Sequence, residues 1–436
     1  MNMISLFIFK SNTRGMRYGI GTYINQLIGS LSIYPDIKII LVNFRSDKYK
    51  EFTLSNNLEQ FTEIHIPSPI ISSYSGFKND KYSEKVVDLL TPFINKSDNI
   101  VFQINYLDAL PLARTLKSRY KFPVLSIIHS AQWQFMFDGN KQNFKEIWSD
   151  REYSQRPDLK PIMQEKELYE LSDLVVSVTD YMKEFIIRYY GLNEHKIKVI
   201  HNGIDNTLFH IPDKKERLEL KKRLGFSIRE KIILFSGRLD SSKGIYFLLE
   251  AFSEVVKRND NTRLVLVGDD SGPDKIPQYL SHCSNMWGKV TFTGFIEYEH
   301  MLKFYQIADI GVIPSVYDHG TYVALEMIGH NIPLIVSDAD GFEEFLTHDQ
   351  CIFITQVVDD EGNIKFDKKD FAEAILSLLF DRKKAGRIIS EYNKMIMNKL
   401  SSKRMASEYY SLLKDFGVMA KRSVTSINNV PEYSRP

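Results

Sequence analysis

Short apolar runs recur along the chain, with helical stretches between them. In the first half they are "MISLFIF", "IKIILVNF", "NIVFQI", "FPVLSIIH", "LVVSV" and "IKVIHN". In the second they are "IILFSG", "RLVLVGD", "KVTFTG", "DIGVIPS", "IPLIVSD" and "QCIFIT". Runs of roughly 4–8 residues suit central strands of a parallel sheet, which are buried on both faces. The segments "GIGTYINQLIGSL", "YSEKVVDLLTPFI", "TDYMKEFIIRYYG" and "GIYFLLEAFSEVVKR" read as helices between them. Repeated strand–helix alternation predicts an α/β doubly wound architecture.

The alternation breaks once. Residues 201–230 are polar and charged, with Gly and Pro near the start, which reads as an interdomain connection plus a short helix. The expected organisation is two tandem Rossmann-like domains, 1–200 and 201–390, then a C-terminal helix over 391–416 returning to the first domain and a flexible tail over 417–436. The polar, aromatic stretch from His129 to Lys160 reads as a long functional loop containing a helix.

Bulk composition narrows the function classes. The chain has 436 residues, and at about 100–200 residues per domain two domains are expected. Lys and Arg total 56 against 55 Asp and Glu, so the net charge of +1 gives no general attraction to nucleic acid. Cys283 and Cys351 lie in no metal-ligand spacing, which argues against a zinc site or a disulfide framework. No run approaches the ~18–20 apolar residues of a membrane span. The start reads as a first strand rather than a signal peptide. A cytoplasmic protein is expected, and a peripheral contact with the inner face of a membrane is compatible with the sequence.

Four motifs carry candidate chemistry. In "RYGIGTYI", Gly19 and Gly21 follow a strand and open a helix, where backbone N–H groups can meet a phosphate. Ile24 stands where a dinucleotide fingerprint has its third glycine, so the alternative is an ordinary tight turn. In "FSGRLDSSKGIYFLLEAF", a strand ends at Gly237, and Arg238 and Lys243 fall in the loop and at a helix start. Ligands of open α/β sheets bind outside the carboxyl ends of strands, so the pair suits a diphosphate; alone, it also suits two solvated cations. In "VIHNGIDNTLF", Asn202-Gly203 marks a turn with Asp205 nearby. In "PSVYDHGTYVALEM", Asp318 precedes a helix and Glu326 lies two turns into it, ~12 Å away. That is about the span from ribose to hexose in a nucleotide sugar. Asp318 also suits a helix cap. Glu326 suits a surface charge poorly, because Ala324, Leu325, Met327 and Ile328 flank it.

In this order the motifs resemble those of the retaining glycosyltransferases of family 4, which have the GT-B fold, two Rossmann-like domains facing a central cleft. The resemblance is strongest from Val199 to Glu344. It implies that Arg238 and Lys243 hold the donor diphosphate and that Glu326 binds the ribose hydroxyls. It places Asp318 at the donor sugar, where the family usually has Glu. Gly19, Gly21, Asn202, Gly237 and the backbone of Gly320, Thr321 and Tyr322 would complete the donor site, and His129 would lie near the reacting sugar. The catalytic set is then His129, Asp318, Arg238 and Lys243. The implied reaction moves a hexosyl group from a UDP- or GDP-linked sugar to a hydroxyl of a glycan, lipid-linked or protein acceptor, with retention of configuration. It calls for no cofactor and no metal, although "GDDSGPD" and "DAD" both follow strands and could ligate Mg²⁺.

The acceptor is expected on the first domain, at "PSPIISSYSGF" or at "HSAQWQFMFDGN", where Trp133 and Phe135 either stack on sugar faces, touch lipid, or pack the loop. Departures from the family pattern include Asp318, His319, Thr321, Tyr18 and Asp340, and they bear on sugar identity more than on reaction class. Two tandem Rossmann-like domains also serve sugar-nucleotide 2-epimerases and phosphorylases. A nucleotide-sugar-binding module without turnover and an NAD-dependent oxidoreductase are the other readings.

Overall fold

The computed structural model describes residues 3–11, 18–68, 76–94, 99–149, 156–269, 275–319, 322–398 and 400–425. They form two compact units. The first takes the chain up to Gln132, then 156 to His201, then from Ser402 onward; the second takes 133–149 and Asn202–Ser401.

The first unit is built on eight strands: β1 Ile4–Ser11, β2 Ile37–Ser46, β3 Thr53–Asn57, β4 Phe61–Pro67, β5 Ile100–Ile104, β6 Val124–Ile128, β7 Leu174–Ser177 and β8 Ile197–Val199. Their order is β3-β4-β2-β1-β5-β6-β7-β8, with only the β3–β4 edge antiparallel. Leu6, Phe7, Ile8 and Phe9 of β1 are all fully buried, as a central strand covered on both faces requires.

The helix Ser402–Thr425 belongs to this unit and packs on the helix Gly19–Leu31. The Tyr23 and Tyr409 hydroxyls are hydrogen-bonded, the Tyr34 and Tyr410 rings stack at 4.0 Å, and Lys414 Nζ lies 2.6 Å from Asp36 Oδ2. The expected single helix over 391–416 is therefore two: Arg382–Asn398 ends in the second unit, and Ser402 opens the next. Nor is 417–436 a tail throughout, since the helix continues to Thr425; 426–436 lies outside the described residues.

The second unit carries β9 Lys231–Ser236, β10 Thr262–Val267, β11 Val290–Phe292, β12 Ile310–Ile313, β13 Leu334–Ser337 and β14 Cys351–Ile354, all parallel in the order β11-β10-β9-β12-β13-β14. An antiparallel pair, β15 Gln356–Val358 and β16 Ile364–Phe366, follows. The helix Ile245–Arg258 buries Ile245, Leu248, Leu249, Phe252 and Val255, an i, i+3, i+4, i+7 stripe that seats it on the sheet.

One segment changes partners. The stretch after β6 forms two short helices, Gln132–Met136 and Lys141–Ser149, and from Trp133 on it packs with the second unit. Lys141 pairs with Asp340, and a Cβ at Gly362 would lie 2.3 Å from Asn140 Nδ2. Trp133 is fully buried against Phe144, ring centroids 5.2 Å apart. This corrects the expectation that Trp133 offers its ring to an acceptor from the first domain: the indole is core of the second unit. Phe135 is 43% exposed and meets Tyr317 edge-on at 6.1 Å, also within the second unit. Most of "PSPIISSYSGF" lies outside the described residues.

Candidate functional site

In the second unit the polar groups gather at the carboxyl ends of β9 and β12. Close backbone contacts hold the loops there. Gly244 has φ +67° and caps the helix Ile245–Arg258; a Cβ on it would lie 2.0 Å from the Pro314 carbonyl oxygen. Val316 N donates to Ser242 O at 2.8 Å across the same contact. Gly268 has φ +138°, and a Cβ there would lie 1.8 Å from Gly237 O. The loop after β9, with Arg238 and Lys243, is thus locked against those after β10 and β12 at positions only glycine can occupy.

Lys243 and Asp318 form the centre of the cluster. Lys243 Nζ lies 2.7 Å from Asp318 Oδ2, and the two side chains are 20% and 10% exposed. Asp318 also accepts from Ser315 Oγ at 2.9 Å and, through Oδ1, from the His319 amide at 2.9 Å. Burial alone would raise the Asp318 carboxyl, but the Lys243 charge and the Lys243 and Ser315 hydrogen bonds outweigh it and hold the group below its ordinary value. Arg238 Nη1 lies 3.3 Å from Asp240 Oδ2, and Asp240 in turn holds the Ser242 hydroxyl. Ser315 and Val316 carbonyls are fixed by Ser337 Oγ (2.6 Å) and Gln356 Nε2 (2.8 Å). The Asp338–Asp340 loop lies alongside, since a Cβ on Gly341 would be 2.7 Å from Asp318 O. Asp338 accepts from Gln356 N at 2.8 Å and Asp340 is paired with Lys141, so both carboxylates of "DAD" have protein partners. Residues 270–274 of "GDDSGPD" lie outside the described residues.

Glu326 occupies a different environment. It sits in the helix Tyr322–Gly329 at 5% exposure, and Tyr305 OH donates to its Oε2 at 2.7 Å. Tyr298 also donates to it, and Tyr305 is hydrogen-bonded to Ser236 at the end of β9. Burial pushes the carboxyl up to about 7 against the pull of both phenols. The folded protein therefore keeps a proton that the unfolded chain, with its ordinary value of 4.5, loses as pH rises between those values. The cost is absent below the unfolded value and grows as pH rises through the folded one. Glu326→Gln, which cannot ionise, should gain on wild type by roughly 3 kcal/mol between about pH 5 and pH 8. Urea unfolding at both values checks this; a stability difference independent of pH contradicts it.

His319 is buried, and the Gln134 side-chain amide donates to its Nε2 at 2.6 Å. Burial lowers this imidazole to about 4, so it is neutral near pH 7. Tyr322 is buried at the first position of its helix; Gly320 and Thr321 lie outside the described residues. Asn202 is buried where the chain enters the second unit, and Asp205 caps the following turn by accepting from Thr207 N at 2.9 Å.

The remaining predicted residues lie in the first unit. Gly19 is exposed at the start of its helix, with open space where a Cβ would be, and Gly21 is buried one position beyond Ile20. His129 follows β6. Its Nε2 is buried without a hydrogen-bond partner among the described residues, and its ring meets Tyr23 edge-on at 4.6 Å. Burial lowers it to about 3, so it is a neutral imidazole at working pH.

The structure thus brings together Gly237, Arg238, Lys243 and Asp318, and connects Glu326 to the end of β9 through Tyr305. Tyr298, Tyr305, Gln134 and Gln356 escaped sequence reasoning because each acts through a contact distant in sequence; Asp240 and Ser315 escaped it although their partners lie two or three residues away.

Most of the chain matches known families. Residues 52–208 match the family described as Glycosyltransferase Family 4, and 216–395 match Glycosyl transferases group 1. The chain belongs to the family-4-like glycosyltransferases of the GT-B fold. An uncharacterized glycosyltransferase of Methanocaldococcus jannaschii is 35% identical over 176 residues, 40% of this chain and 45% of that protein. The chain spans about half the length of the curated relatives it matches. Sucrose-phosphate synthase from Thermosynechococcus elongatus shares the fold with a TM-score of 0.73 at 18% identity, over 95% of this chain and 100% of that one. HepE of Anabaena, in complex with UDP-glucose, superposes with a TM-score of 0.69 at 17% identity, over 95% and 100%.

Proposed function

We propose that this protein is a retaining hexosyltransferase. It moves a hexosyl group from a UDP- or GDP-linked sugar to a hydroxyl of a glycan, lipid-linked or protein acceptor. The observation that carries the reading is the Arg238/Lys243 pair, fixed at the carboxyl ends of β9 and β12 by Gly244 and Gly268. As the glycosidic bond breaks, the leaving diphosphate gains negative charge. Two cations already in place stabilise that charge without reorganising, which is how a preorganised site lowers a barrier. The reading assigns charge neutralisation to these side chains rather than to a metal.

Asp318 has a different part from the longer Glu usual in the family. Its carboxylate holds Lys243 and Ser315, so it positions the cation, and only a shared contact reaches the hexose. Glu326 holds the ribose hydroxyls. Tyr298, 39% exposed, is the phenol that a ribose hydroxyl replaces. His129, neutral at pH 7, binds the reacting sugar through a hydrogen bond rather than by charge. The binding-module and 2-epimerase readings share this donor site and differ in outcome.

The test is product formation. The protein is incubated with UDP- and GDP-hexoses and a panel of glycan and lipid-linked acceptors, and mass spectrometry follows the acceptors. A product heavier by one hexosyl unit, with free UDP or GDP, is expected. An epimerised nucleotide sugar with no transfer product would assign the epimerase reading instead. The anomeric coupling constant in the product's NMR spectrum then decides retention.

A further inference from the structure

The excursion after β6 packs on the residues that carry Asp318. Gly139 takes φ +77°, and a Cβ on it would lie 2.6 Å from the Tyr317 ring. Phe135 meets the same ring edge-on, and Lys141 pairs with Asp340. Trp133, in the core of the second unit, anchors the start of the segment.

Gln134 lies inside this contact. Its side chain is fully buried, and His319 is buried with it. Buried amides and imidazoles are kept where their polar atoms find partners. Gln134 Nε2 lies 2.6 Å from His319 Nε2. Burial keeps the imidazole neutral near pH 7, so one ring nitrogen carries no proton and can accept from the amide. The Gly341 backbone closes on the same residue: a Cβ there would lie 3.3 Å from His319 Nδ1 and 3.2 Å from its Cα. The ring is thus held near both of its nitrogens.

His319 in turn holds Asp318. Its amide donates to Asp318 Oδ1 at 2.9 Å, while Oδ2 takes Lys243 and Ser315. A turn of the His319 peptide would therefore displace Oδ1 and leave the pairing of Oδ2 with Lys243 in place. The two carboxylate oxygens have separate supports, and the support of Oδ1 runs back to Gln134.

We infer that Gln134 is a positioning residue of the donor site, which acts through His319 to orient Asp318 Oδ1 toward the transferred sugar. The excursion after His129 then contributes to sugar recognition in the second unit. The inference rests on the donor reading of this site. The experiment is isothermal titration of UDP, GDP, UDP-glucose, UDP-galactose, UDP-N-acetylglucosamine and GDP-mannose into the full chain. Wild type is compared with Gln134→Leu, His319→Leu and the double variant. At least one nucleotide sugar should bind wild type. Gln134→Leu should bind it about ten-fold more weakly, as for one lost buried hydrogen bond, and should bind the parent nucleotide within about two-fold of wild type. The double variant should be no weaker than His319→Leu, because the two residues act as one unit. Nucleotide-sugar affinity unchanged in Gln134→Leu overturns the inference and leaves the donor reading standing. Equal losses for nucleotide and nucleotide sugar assign Gln134 to packing alone and overturn it as well. So does a double variant in which the two losses add. A wild type that binds none of the six compounds removes the donor reading, and the inference falls with it.

Discussion

Lys243→Ala should lower the transfer rate by roughly 10²–10³-fold, the effect of removing one preorganised charge donor from a leaving group. Arg238→Ala should act similarly, and the double variant by less than the product of the two, because both cations serve one diphosphate. Lys243→Ala has a second consequence. It strands the Asp318 carboxylate, 10% exposed, without its cation. Leaving one partner of such a pair alone costs about 2–3 kcal/mol. Removing both, in Lys243→Ala/Asp318→Ala, should restore most of the stability and none of the turnover. Denaturant unfolding and initial rates on the three proteins separate structure from chemistry. Recovery of turnover in the double variant would show that Lys243 acts only as a structural partner of Asp318.

Gly244→Ala should be among the most damaging single methyl groups in the second unit's site. The new Cβ meets the Pro314 carbonyl at 2.0 Å, and φ +67° is itself unfavourable for alanine. Neither the helix start nor the strand-end loop can move away cheaply, because Val316 N and Ser242 O bind them together. Overpacking and backbone strain together cost about 4 kcal/mol. At about 2–4 °C per kcal/mol for a domain of this size, the second unit's transition should fall by roughly 10 °C. Gly19→Ala makes the control. Open space surrounds that position, so its transition should move by less than about 2 °C. Calorimetric scans of the two variants make the comparison, and equal transitions would mean that the loop contact is not what holds the site.

Much of the fold was legible because central parallel strands are apolar on both faces. "IILFSG", "RLVLVGD" and "DIGVIPS" became β9, β10 and β12 for that reason. The strands that were missed are short or break the continuous apolar pattern. β3 reads "TLSNN" at a sheet edge, β4 reads "FTEIHIP", in which polar residues interrupt the buried Ile64 and Ile66, and β15 and β16 are three residues each in an isolated hairpin. Alternation gives the order of elements but not the surface on which an excursion packs. This is why Trp133, which in sequence suits a ligand platform and loop packing alike, lies in the second unit's core. The lone Gly417 did not end the last helix, because Met419, Ala420, Lys421 and Arg422 beyond it are good helix formers.

The candidate site was legible in its charges and not in their partners. Glu326 stood out because apolar residues flank it, and the structure supplies the reason: it is buried and held by two phenols. Asp318 read equally as a sugar contact or a cap. The structure gives it to Lys243 and Ser315, a pairing across 75 residues that no local pattern encodes. Gly268 and Gly341 carry no signal of their own in the sequence, and only the approach of Gly237 O and Asp318 O shows what they are for.

The central claim is that Arg238 and Lys243 hold a nucleoside diphosphate. Isothermal titration of UDP and of GDP into wild type and into Arg238→Ala/Lys243→Ala tests it most directly. The account predicts that one of the two nucleotides binds wild type and that the double variant binds it at least about 100-fold more weakly. Equal affinity in both proteins, or no binding of either nucleotide to wild type, would contradict it.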